Sequence, residues 1–101
     1  MCGIVGIVSS EPVNQQVYDS LLLLQHRGQD STGIATLDGD FFHVVKAKGQ
    51  VREAYRTRDM RLLTGNVGLG HVRYATRGSA AHEEEAQPFY VGAPYGIILV
   101  H

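Results

Sequence analysis

The sequence predicts a domain in which strands alternate with helices, of the α/β or α+β class. Three observations carry this. Two short runs, Gly3–Ser9 and Tyr95–Val100, are apolar at successive positions, as in strands covered on both faces. Val17, Leu21 and Leu24 recur at helical spacing, with Tyr18 and Leu22 widening the stripe. Two β-type runs, Thr32–Leu37 and Phe41–Lys48, flank Asp38-Gly39-Asp40, a hairpin signal.

The elements follow in order. After the first strand, Glu11–Asn14 is a turn carrying Pro12, and Asn14 suits a helix N-cap. His26 and Arg27 suit the negative end of that helix, and Gly28 suits its C′ stop. After the hairpin, Gln50–Leu63 is more polar and reads as two short helical pieces with Thr57 as an N-cap between them. Gly65–Ala75 is punctuated by glycine and then turns β-like. In a strand there, His71, Arg73 and Ala75 face one side while Val72, Tyr74 and Thr76 face the other. Arg77–Gln87 is a polar loop holding Glu83-Glu84-Glu85, a solvated charge run. The last strand, Tyr95–Val100, predicts further strands of the same domain beyond it.

Composition excludes several classes. The 101 residues make at most one domain, and 44% apolar with 19% charged is a globular balance. Nine Lys and Arg against ten Asp and Glu leave a net charge of -1, so no basic stripe favours nucleic acid. No apolar run is long enough to span a bilayer, and no basic segment introduces a signal peptide. A single cysteine forms no internal disulfide and suits the cytoplasm. His26, His43, His71, His82 and His101 match no metal-ligand spacing, so no metal site is expected.

Four pieces carry chemistry. Cys2 follows an initiator methionine whose removal frees the α-amino group, with an ordinary pKa of about 7.7–8.0. One residue then supplies both nucleophile and base. Leu24–Gly33 (LQHRGQDSTG) concentrates polar and small residues between a helix and a strand. Gly70–Thr76 (GHVRYAT) puts Arg73 at a strand end, where its fork suits a carboxylate. Glu85–Phe89 (EAQPF) is an extended segment, since the residue before Pro88 avoids the α region.

Together these pieces resemble the amidophosphoribosyltransferase family. Met1-Cys2-Gly3-Ile4-Val5-Gly6 resembles the start of all class II glutamine amidotransferases, which are N-terminal-nucleophile hydrolases. The other three pieces separate this family from the glucosamine-6-phosphate synthase and asparagine synthetase relatives. The resemblance covers essentially the whole chain. It implies an α+β fold, a four-layer αββα sandwich incomplete at the C-terminus, so that residues 1–101 are the N-terminal portion of the amidotransferase domain. It implies Cys2 as the nucleophile on the glutamine amide, Arg73 as the clamp on the substrate carboxylate, and Tyr74 and Thr76 as shapers of the pocket. Arg27, Gly28 and Asp30 are supporting residues beside the nucleophile. An Asn-Gly oxyanion pair, an aspartate for the substrate amino group and a phosphoribosyltransferase domain would follow His101. The resemblance also implies ammonia transfer to phosphoribosyl pyrophosphate in purine synthesis, Mg²⁺ for that missing domain, no cofactor in this segment, and homo-oligomeric full-length relatives. An iron–sulfur cluster is neither implied nor excluded by these residues. Two other readings stay open: a class II amidotransferase with a different acceptor, and a truncated non-catalytic remnant.

Overall fold

The computed structural model describes residues 1–74, 86–92 and 96–101. Strand β1 (Gly3–Val8) leads to helix α1 (Asn14–Leu23) and a 3₁₀ turn (Gln25–Arg27). The hairpin β2 (Ser31–Asp38) and β3 (Phe41–Lys48) follows, then short helices α2 (Val51–Ala54) and α3 (Thr57–Leu62). Strand β4 (Val67–Arg73) comes next, and then β5 (Phe89–Val91) and β6 (Ile97–Leu99). The main sheet has the order β1-β4-β2-β3, with every neighbouring pair antiparallel. Strands β5 and β6 pair separately as a second, two-stranded sheet.

The core lies between the helices and one face of the main sheet. It gathers Val13, Val17 and Leu21 from the α1 region with Ile34, Val51, Tyr55, Leu63 and Val72. Each fully buried aliphatic side chain contributes roughly 1.5–3 kcal/mol. The helical stripe read from Val17 and Leu21 is therefore the packed face of α1, while Leu23 points outward at 79% exposure. Tyr18 meets Tyr55 edge to face at 5.9 Å.

Five local expectations are corrected. Asn14 is the first residue of α1, not its cap: Val13 holds the cap position, and the Asn14 amide instead donates to the Met60 carbonyl at 2.8 Å. Thr57 likewise begins α3, and the Asp59 carboxylate accepts the Arg56 N–H at 2.9 Å. Gly28 does not end the helix in a left-handed turn. It is extended, α1 having ended at Leu23, and its role is a close approach described below. Finally, β1 is covered on one face only. Val5 and Ile7 pack against the core, but Ile4 and Val8 are 48% and 80% exposed. The hairpin β5–β6 lies against β3, where Phe42 meets Tyr90 and Lys46 sits over Phe89, and leaves these β1 side chains uncovered. For the same reason β6 is not buried on both faces, with Ile97 and Leu99 at least half exposed.

Candidate functional site

Register brings the chemistry-bearing residues together. Gly3 pairs with Val72 across β1 and β4, so Cys2, one residue earlier, stands opposite Arg73. On the other side of β4, Ser31 pairs with Arg73. The Asp30 N–H then donates to the Arg73 carbonyl at 3.0 Å, and the Asp30 carbonyl accepts from Gly49 at 2.8 Å. The loop between the 3₁₀ turn and β2 is thereby tied to the end of β4.

The 3₁₀ turn in front of that loop also reaches Cys2. Arg27 Nε donates to the Cys2 carbonyl at 2.8 Å. Gln25 braces the loop from behind: its amide nitrogen donates to the Gly28 carbonyl at 2.6 Å, and its oxygen accepts the Val51 N–H at 2.7 Å. Gly28 is needed because the loop crosses the main chain of β4. A Cβ at this position would stand 2.5 Å from the Arg73 carbonyl carbon, well inside van der Waals contact.

Cys2 is a free, half-buried thiol. It lines a cleft of about 490 Å³ together with Met1, Ile4, Arg73, Tyr74, Gln87 and His101. This size suits a small-molecule ligand. Strand alternation predicts Tyr74 on the face opposite Arg73. The strand ends at Arg73, however, and Tyr74 lines the same cleft, 56% exposed. A neighbouring pocket is lined by His26, Gly28, Gln29, Asp30 and Tyr74. The structure thus brings Cys2, Arg73 and Tyr74 into one cleft, with Arg27, Gly28 and Asp30 behind and beside it. Thr76 lies outside the described residues, as does the Glu83–Glu85 run.

Two residues of the cleft have no role in the sequence reading. Gln87 is buried, and its side-chain oxygen accepts the His101 N–H. The segment carrying it crosses β2 at Gly33, where a Cβ would meet the Gln87 carbonyl at 1.9 Å. The EAQPF piece was a signal for this segment, since an extended run before proline can lie flat on a sheet. His101 had no signal beyond its place after an apolar strand.

Beneath the cleft, Thr32 donates its hydroxyl proton to the His71 carbonyl at 2.8 Å and so accepts from the Tyr55 hydroxyl at 3.0 Å. Burial raises the Tyr55 pKa well above the ordinary phenol range. The His71 ring is fully buried. Its pKa lies below the ordinary 6.5, first because of burial and then because of the nearby Arg73 charge. Among the described residues no group of three or more His, Cys, Asp or Glu gathers as a metal site, and no helix is long and apolar enough to cross a membrane.

The chain is similar to known proteins along its whole length. No family model matches the chain. The chain is 58% identical over 102 residues to the amidophosphoribosyltransferase of Pasteurella multocida, and 56% identical over 102 residues to that of Escherichia coli. Both alignments cover 100% of this chain and 20% of the relative, so the chain spans about a fifth of the length of the curated relatives it matches. Among solved structures, the glutamine phosphoribosylpyrophosphate amidotransferase of B. subtilis, complexed with ADP and GMP, superposes with a TM-score of 0.78 at 33% identity. That match covers 90% of this chain and 19% of the other. The α+β architecture is therefore that of the corresponding part of this neighbour.

Proposed function

We propose that this chain, homologous along its whole length with the N-terminal fifth of amidophosphoribosyltransferases, is the nucleophile-bearing part of a glutamine-hydrolysing site. The observation that carries this reading is the placement of Cys2 opposite Arg73 across the β1–β4 register, both on one cleft. Once Met1 is removed, the Cys2 thiol gives its proton to its own α-amino group. The sulfur then adds to the carbon of the glutamine side-chain amide and forms a tetrahedral oxyanion. Collapse breaks the C–N bond, the nitrogen takes the proton, and ammonia leaves a γ-glutamyl thioester. Water attacks the thioester and returns glutamate and the thiol. Arg73 receives the substrate α-carboxylate in its two-pronged fork. Arg27 holds the main chain of the nucleophile, and Tyr74 walls the cleft. Thr76 is assigned to the pocket by the resemblance alone.

The destination of the ammonia belongs to the same reading. In the whole enzyme it displaces pyrophosphate from phosphoribosyl pyrophosphate to give 5-phosphoribosylamine, in the cytoplasm. The names of the relatives support this assignment. The described residues offer no donor cluster for the Mg²⁺ of that half-reaction.

Exposure of Met1 at 69% is compatible with its enzymatic removal. The test is an intact mass before and after treatment with a diazoketone analogue of glutamine. The expected result is loss of Met1 and a single adduct on Cys2, absent in Cys2→Ser. Retention of Met1 on most molecules, or an adduct elsewhere, would overturn the reading.

A further inference from the structure

His71 is a buried titratable group that the chemistry above does not use. It lies on β4 between Ile4 of β1 and Gly33 of β2, two residues before Arg73 and so on the same face of the sheet. Its Nε2 is 2.8 Å from the His101 carbonyl oxygen. A carbonyl only accepts, so the ring donates from Nε2. Its Nδ1 is buried and has no hydrogen-bond partner among the described residues. The His101 N–H is taken up by Gln87. Both main-chain polar groups of His101 are therefore held by side chains, and Ile4, Arg73, Gln87 and His101 all line the cleft that Cys2 enters.

A half-satisfied imidazole is a costly way to fill this space, because a buried nitrogen without a partner opposes folding where an apolar side chain would not. The bond to His101 is what an apolar side chain cannot supply. We propose that His71 is a positioning residue of the glutamine site: as the neutral Nε2–H tautomer it fixes the His101 main chain against the Cys2–Arg73 cleft. The inference rests on the glutamine-hydrolysis reading and extends it to a residue that touches no substrate. Burial and the Arg73 charge keep the ring neutral, the His101 side chain acts in the same direction, and the bond to the His101 carbonyl opposes them.

The test compares His71→Gln with His71→Met in a full amidophosphoribosyltransferase polypeptide carrying this segment. The two substitutes have similar length, and only glutamine keeps an N–H donor at the reach of Nε2. His71→Met should lose about tenfold in kcat for glutamate release, with KM within about threefold, and His71→Gln should recover kcat to within about threefold. Nitrogen NMR of the unsubstituted protein should show a protonated Nε2 and a bare Nδ1 at neutral pH. That measurement decides the matter if the methionine variant does not fold. An imidazolium, or the Nδ1–H tautomer, would overturn the inference. Equal kinetics for the two variants in an active parent would overturn it as well. A parent that releases no glutamate overturns the glutaminase reading and the inference with it.

Discussion

Gly28 lies against the main chain of Arg73, so closely that a methyl group at residue 28 would stand 2.5 Å from the Arg73 carbonyl carbon and 2.7 Å from its oxygen. The loop beside the proposed nucleophile and the strand that ends in the proposed carboxylate clamp share one contact that only glycine allows. Gly28→Ala must therefore move one of them. The expected result is a loss of roughly 1–3 kcal/mol in stability and a larger proportional loss in glutamine hydrolysis. Denaturant titration beside steady-state kinetics checks this, and an active variant of unchanged stability would refute it.

Arg73 is assigned to the substrate carboxylate. Arg73→Ala should raise the KM for glutamine by about 100-fold or more, because one partner of a desolvated charge pair is lost. Arg73→Lys should recover only part of this, since lysine keeps the charge but not the fork. A KM near that of the parent in Arg73→Ala would place the clamp elsewhere.

Arg27 holds the proposed nucleophile through its hydrogen bond to the Cys2 carbonyl. A bond to a charged donor contributes about 1.5–3 kcal/mol, so Arg27→Met should lower kcat/KM by about 10- to 100-fold. The rate of alkylation of Cys2 by the diazoketone analogue should fall with it. Unchanged alkylation together with unchanged turnover would remove Arg27 from the site.

Thr32 joins Tyr55 to the His71 carbonyl inside the core. Thr32→Val keeps the shape but strands both partners, and should cost about 1–3 kcal/mol. The denaturation midpoint should fall while the slope stays constant. A midpoint equal to the parent's would mean that solvent or another group satisfies Tyr55.

His71 has its folded-state pKa below the unfolded value of 6.5. The unfolded chain therefore binds more protons between those two values, and stability rises with pH across that window. Melting temperature should decline as pH falls below about 6.5, and His71→Gln should flatten that part of the curve. The parent and variant melting curves, recorded across this range, check the assignment. Parallel curves would show that His71 does not titrate there.

Much of this architecture is written in local pattern. The stripe of Val17 and Leu21 defines the buried face of α1, because a 3.6-residue period allows one apolar side. Gly39-Asp40 closes the β2–β3 hairpin, because a two-residue turn favours glycine at a position of positive φ. Cys2, Arg73 and the loop carrying Arg27 stand out by residue type, and the structure gathers them into one region. Asn14 and Thr57 misled by one position, since a polar residue near a helix start reads equally well as its cap or its first residue.

What only the tertiary structure decided is which distant residues meet. Gly28 reads locally as a helix stop, and its true constraint is the Arg73 backbone, 45 positions away in sequence (73 − 28). Gln87 and His101 join the cleft because the 86–88 segment crosses β2 at Gly33 and the chain end returns beside β4. His71 reads as one histidine among five, and the His101 carbonyl that meets its buried ring comes from a distant part of the chain. Periodicity and residue chemistry act within a few positions of the chain. The sheet order β1-β4-β2-β3 and the return of the 101 end depend on long-range packing, and local pattern does not encode it.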